Sequence, residues 1–231
     1  MKIKIFPFET EISFCKDYIN ILEIANKGLF INLVESFNNL LNKEEGIENI
    51  LLVKEEKILD LSKNSMIIFD ILNINFNDRK LLNKLIKRIE QNVILDDRIK
   101  NEMYSNNTKI MNMLDTILSE FTFDIYYKDD ISIQDYLKAF GIKIETLSYI
   151  SFLDKLIAFI DIISELELCS ILILCNIKSY FKNEQLIEIY KFAQYKQIKL
   201  LLIEPKISDI CLKNERKMVI DEDFHDYLVE K

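Results

Sequence analysis

The sequence predicts an α/β fold in which a mixed, largely parallel sheet forms a head and a helical extension is inserted into it. Three observations carry this reading. SILILCNIKSYF and KLLLIEP, within Cys169 to Pro205, each pack about five apolar residues between polar or turn-forming ends. NEQLIEIYKFAQYK between them keeps Leu186, Ile187, Ile189, Tyr190 and Ala193 at helical spacing, giving strand, crossover helix and parallel strand. An earlier strand and helix lie in NILEIANKGLFINLVESF, and a long stretch of helical period separates the two strand-rich ends. The expected organisation is a head over 1–64 and 165–231 and a helical extension over 65–164.

Taken in order, Met1 to Phe14 reads as paired strands with Pro7 near the turn, Tyr18 to Ala25 as a strand, and Gly28 to Leu41 as a helix. Glu48 to Leu61 alternates into strand around a polar KEEK turn. From Met66 the period becomes helical through Ile67, Ile68, Ile71 and Leu72. After NINFND a longer helix carries Leu81, Leu82, Leu85, Ile86, Ile89 and Val93 on one face, with Asp78 placed as its N-cap. Helical spacing continues through Ile110, Met113, Leu114, Ile117 and Phe121, stops at the acidic loop YYKDDIS, and resumes from Ile133 to Phe140. Gly141 ends that helix. An amphipathic helix over about Ser148 to Leu166 then leads back to the strand at Ile171.

Parallel strands of this kind present chemistry at their C-terminal ends, where a P-loop enzyme holds magnesium with an aspartate. Asn176 occupies that place. A phosphate loop needs several glycines, then a lysine and a hydroxyl. Gly28 is followed by Leu29 and Phe30. The head therefore reads as P-loop-NTPase-like in scaffold, without the nucleotide chemistry.

Composition narrows the function further. The chain of 231 residues is 49% hydrophobic, sufficient for a core, and its 3 glycines and 2 prolines favour long helices over tight turns. No apolar run reaches the roughly 18 to 20 residues needed to cross a bilayer, and the N-terminus alternates like a strand and lacks a signal peptide's apolar segment. The expected location is cytoplasmic. The 4 cysteines form no CxxC pair, and one histidine, His225, leaves a His-dependent triad without partners. A net charge of −8 argues at face value against nucleic acid. The acidic residues gather in Lys43 to Asp60, in Asp124 to Asp135 and in the last residues, a solvated tail, leaving other surfaces to be positive.

One such surface is a basic stripe on the middle helix. Lys80, Lys84, Lys87 and Arg88, joined by Arg79, stand opposite the Leu/Ile face, a spacing that suits a phosphate backbone as well as a solvated helix face. A second constellation is the carboxylate set Glu120, Asp124, Asp129, Asp130 and Asp135. It suits the hard oxygens calcium requires without matching EF-hand spacing, and it suits an N-capping, solubilising loop equally.

Asn20 to Phe37, Ile133 to Thr146 (IQDYLKAFGIKIET) and Ile171 to Pro205 together resemble the ring-forming DNA-end-binding family of type II-A CRISPR loci, which acts in spacer acquisition. The likeness runs from near the N-terminus to Pro205. It departs in the tail after Lys206 and in the polar middle from Gln91 to Asn107. The resemblance implies a head with a helical leg and no enzymatic activity. It implies a homotetrameric ring that holds the ends of linear double-stranded DNA in a lumen lined by lysines and arginines. Lys138 and Lys143, flanking Gly141, and Lys178 and Lys182, after the central strand, join the helix stripe as candidates. It also implies calcium near the junction of head and leg, which points to Glu120, Asp124, Asp129 and Asp130 as ligands, and as partners the spacer integrase and the type II effector nuclease of the same locus. Two other classes stand beside it: a nucleotide-dependent enzyme related to P-loop ATPases, and a structural interaction protein without DNA binding.

Overall fold

The computed structural model describes residues 1–43, 49–128, 131–145 and 151–230, and it divides into two compact units, 1–75 with 147–231 and 76–146. The larger unit opens with β1 (Lys2–Ile5) and β2 (Glu11–Ser13), an antiparallel pair, then β3 (Ile19–Ile24) and α1 (Lys27–Asn42). β4 (Ile50–Lys54) and β5 (Lys57–Leu59) return to the first pair and complete a four-stranded antiparallel sheet in the order β2-β1-β4-β5. A short helix α2 (Leu61–Asn64) leads into β6 (Ser65–Ile68).

β6 corrects the helical reading of Ile67 and Ile68. These residues pair in parallel with Ile173 and Leu174 at the edge of a second sheet. Four apolar residues cannot separate period 2 from period 3.6, and the β-branched isoleucines favour the extended pairing.

The smaller unit is helical: α3 (Arg79–Leu95), α4 (Asp97–Leu118) and α5 (Ile133–Ala139). α3 buries Leu81 and Ile86 and is capped by Asp78, whose side chain accepts from the Lys80 N–H at 2.8 Å. Asp96 closes α3 and caps α4 by accepting from the N–H groups of Arg98 and Ile99. Gly141 follows α5 with φ of 61°, the left-handed conformation that a glycine adopts without strain. The two ends of the unit are tied together by the Asn77 side chain, which accepts from the Ile144 N–H at 2.8 Å and donates to the Ile144 carbonyl at 3.1 Å.

The chain then completes the larger unit through α6 (Phe152–Glu165), β7 (Ile171–Cys175), a 3₁₀ turn (Ile177–Ser179), α7 (Asn183–Tyr195), β8 (Lys199–Glu204), β9 (Glu215–Ile220) and β10 (Asp226–Glu230). The second sheet has the order β10-β9-β3-β8-β7-β6. All its pairings are parallel except that of β10 with β9. The helical unit is thus shorter than the expected 65–164, because β6 and α6 belong with the sheets. The acidic tail is also more than a solvated terminus: its β10 closes a hairpin on β9, which extends the parallel sheet beside β3.

One face of the parallel sheet contributes Leu22, Ile24, Ile171, Ile173, Leu201, Ile203, Met218 and Ile220 to a core shared with Leu33 and Phe37 of α1 and with Ile3, Ile5, Ile12, Ile50 and Leu52 of the antiparallel sheet. α6 buries Leu156, Phe159, Ile160 and Ile163, and α7, packed on β8, buries Leu186, Ile189, Tyr190 and Ala193. Among the described residues no helix is long and apolar enough to cross a membrane.

A capping box starts α6. Ser151 Oγ accepts from the Asp154 N–H at 3.2 Å, and Asp154 Oδ2 accepts from the Ser151 N–H at 3.1 Å. Ser151→Ala should lower the unfolding free energy by about 1 kcal/mol, with Ser151→Thr recovering most of it, as read by urea denaturation.

Candidate nucleic-acid interface

At 100° per residue, Lys87, Lys80, Lys84 and Arg88 of α3 fall within about 100° of arc, centred opposite the face that carries Leu81, Leu85, Ile86 and Ile89. The stripe arises because α3 packs that apolar face against α4 and α5 within the helical unit, so the remaining surface is turned outward. Lys80, Lys87 and Arg88 are exposed and Lys84 is partly buried. Among the described residues, none of Lys84, Lys87 and Arg88 pairs with a carboxylate. Three cations along one helix face with no internal counter-charge suit a row of phosphates. Lys138 in the last turn of α5 and Lys143 beyond Gly141 are exposed in the same unit.

α4 has no buried residue over its 22 positions. Its apolar stripe Ile99, Ile110, Met113, Leu114 and Ile117 faces solvent, with Met113 65% exposed and Ile117 55%. An amphipathic helix left open in this way is an unpartnered surface of the helical unit among the described residues, and sequence periodicity alone had not shown which helix face would stay uncovered.

The carboxylates assigned to calcium divide. Glu120 and Asp124 are exposed just beyond α4, while Asp129 and Asp130 lie outside the described residues. Asp135 is committed elsewhere. It closes the α5 capping box with Ser132 and receives Lys128 Nζ at 2.8 Å, and these hydrogen bonds hold its carboxyl well below the usual carboxylate range. Among the described residues no three of His, Cys, Asp or Glu gather to hold a metal ion. The described carboxylates therefore do not by themselves make the six to eight oxygen ligands of a calcium site.

In the sheet unit, the turn where a phosphate loop would lie carries a side-chain cap. The turn from β3 to α1 is capped by Asn26, whose Oδ1 accepts from the Leu29 N–H at 3.0 Å. A Cβ at Gly28 would lie 3.3 Å from that same Oδ1, so this glycine serves the close approach of the cap. Asn176 ends β7 in the left-handed conformation, φ 55°, and accepts from Ser179 Oγ at 2.7 Å.

Lys178 leaves the phosphate-binding set. Its Nζ lies 3.0 Å from Glu215 and 3.5 Å from Glu23, both fully buried, so a phosphate would have to displace two carboxylates from the protein interior. Lys182, at the start of α7, is exposed.

Around Lys178 lies a buried charge cluster that the sequence reading did not single out. Lys217, 1% exposed, sets Nζ 2.9 Å from Glu23 Oε1 and donates to the Ser208 carbonyl at 2.7 Å. Tyr190 Oη donates to Glu215 at 2.8 Å, and burial pushes the phenol above its ordinary range. Glu204, 4% exposed, accepts from the Lys178 N–H at 3.1 Å. The available signal was charge inside apolar strands: Glu23 in INILEI and Lys217 in ERKMVI interrupt runs that otherwise read as core. The four cysteines are free thiols, and burial pushes Cys175 up to about 12, leaving it a small hydrophobe.

Two comparisons bear on these features. The family described as CRISPR-associated protein (Cas_Csn2) matches residues 42–224. A curated relative from Streptococcus agalactiae, named CRISPR-associated protein Csn2, is 23% identical over 205 residues, covering 88% of each chain. The family match spans the helical unit with its α3 stripe and, of the strands that build the buried cluster, β8 and β9. This chain belongs to the Csn2 family of CRISPR-associated proteins.

Proposed function

We propose that this protein serves the adaptation stage of CRISPR defence as a non-enzymatic DNA-binding protein, a homotetrameric ring that holds the ends of linear duplex DNA while new spacers are captured. The observation that carries the reading is the α3 stripe, where Lys84, Lys87 and Arg88 have no carboxylate partner among the described residues in a chain of net charge −8. An acidic protomer must concentrate its unpaired cations to attract a polyanion, and an enclosed channel focuses their field. Lys80, Lys138, Lys143 and Lys182 are further proposed DNA contacts. The uncovered apolar face of α4 supports self-association. The P-loop-like scaffold is read as inherited architecture, since Gly28 and Asn176 serve caps and turns. The spacer integrase and the effector nuclease of the locus are the proposed partners, and calcium binding by Glu120, Asp124, Asp129 and Asp130 is a further part of the proposal.

Phosphate contacts supply affinity without reading bases. Binding to linear duplexes of unrelated sequence should therefore be equal, and log affinity should fall linearly with log salt, with a slope of about −0.9 per phosphate engaged. Light scattering should give four times the protomer mass. Salt-independent binding, or a strong preference for one sequence, would contradict the reading.

A further inference from the structure

We infer that Glu204 and the buried cluster around it form a proton-linked latch on the segment Pro205 to Leu212, closed when Glu204 is protonated and loosened when it ionises. The cluster sets three carboxylates, Glu23, Glu204 and Glu215, against two ammonium groups, Lys178 and Lys217, all in one sheet unit. Lys178 is held by Glu23 and Glu215, and Lys217 by Glu23. Glu204 has neither of them within ion-pair distance among the described contacts, and it stands directly opposite Glu23 in the parallel pairing of β3 with β8. Two buried like charges side by side on adjacent strands are unfavourable, and the neutral form of Glu204 relieves that repulsion.

The segment that follows Glu204 hangs on the same cluster. The Ser208 N–H donates to Glu23 Oε2 at 3.1 Å, the Ser208 carbonyl accepts from Lys217 at 2.7 Å, and the Leu212 N–H donates to Glu215 Oε2 at 3.0 Å. Between segment and strand ends lies a cavity of about 210 Å³, bordered by Glu23, Lys178, Glu204, Lys206, Ser208 and Leu212. An ionised Glu204 competes for Lys178 and repels Glu23, so the groups that hold the segment are the ones its charge disturbs. The titratable groups around Glu204 and its cluster are Glu23 on β3, Cys175 on β7, Lys178 on the 3₁₀ turn, Tyr190 on α7, Glu215 and Lys217 on β9, and Lys206 and Cys211 on the segment itself.

Burial pushes Glu204 up to about 7 from an ordinary 4.5, against the stabilising N–H of Lys178. A carboxyl whose value is raised by folding gives the folded state the extra proton between those limits. Its contribution is complete below about 4.5 and is lost as pH rises through about 7.

The test is amide hydrogen exchange of the full chain over residues 205–214, normalised for intrinsic rates, from pH 5 to 8. In wild type, protection should fall by up to about tenfold per pH unit from pH 5 to about 7 and level off above it. In Glu204→Gln it should stay level. Parallel curves in the two proteins would overturn the latch. Should the variant fail to fold, a carbon-13 titration of glutamate carboxyls in wild type decides: one carboxyl with a midpoint near neutrality supports the latch, and all midpoints in the ordinary range refute it.

Discussion

Reversing Lys84, Lys87 and Arg88 together to glutamate should lower affinity for linear duplex DNA roughly a hundredfold near physiological salt and make the salt slope shallower by about three. Each cation that engages a phosphate releases about one counterion, so the slope counts contacts independently of affinity. Glutamine replacements should lose the same contacts without adding repulsion and give a smaller drop. The fold should tolerate both sets, because glutamate and glutamine are good helix formers and the apolar face with Leu81 and Ile86 is untouched. Unchanged affinity and slope would exclude this stripe and leave Lys138 and Lys143 as the unit's candidate cations.

The second large effect concerns stability. Lys217→Ala should destabilise the protein by about 3 to 5 kcal/mol in urea denaturation, because it strands a buried carboxylate. Glu23 is fully buried and would retain the Lys178 ammonium at 3.5 Å as its counter-charge and the Ser208 N–H at 3.1 Å, while the Ser208 carbonyl would lose its charged donor. The pair Glu23→Gln with Lys217→Met removes both charges and should recover a large part of the loss. A single change that costs less than about 1 kcal/mol would mean that the cluster does not bind its charges as the distances indicate. The α3 reversals, all at the surface, should change stability far less.

The two predictions differ in how visible their residues were in sequence. α3 was legible because seventeen residues of one period, with Asp78 at the start, define both a packed and an open face. The unit β7, α7 and β8 was legible because two short apolar runs flank a helix, and the structure pairs Ile171 with Lys199 and Cys175 with Ile203 in parallel. β6 was not, since a four-residue run carries too little period. α6 was legible as a helix but not as part of the sheet unit, because amphipathicity shows that a face is covered without showing by what. β9 and β10 hid in a charged tail: Lys217 and Glu215 break the apolar pattern, and the strand forms because those charges meet Glu23 and Lys178 from distant parts of the chain. For the same reason Lys178 stood among the candidate DNA-binding lysines. Asp135 stood among candidate metal ligands until its capping box and Lys128 accounted for its carboxyl.

The central claim is that the protein encircles DNA at its ends. Its most direct test is a gel-shift titration against a linear duplex and a covalently closed circle of the same sequence, each with calcium and with chelator. Binding confined to the linear form is the expected result, and its loss with chelator would add the calcium requirement. Equal binding to linear and closed circular DNA would contradict the ring and indicate an open surface groove. No binding to either would contradict DNA binding itself and favour a structural interaction protein.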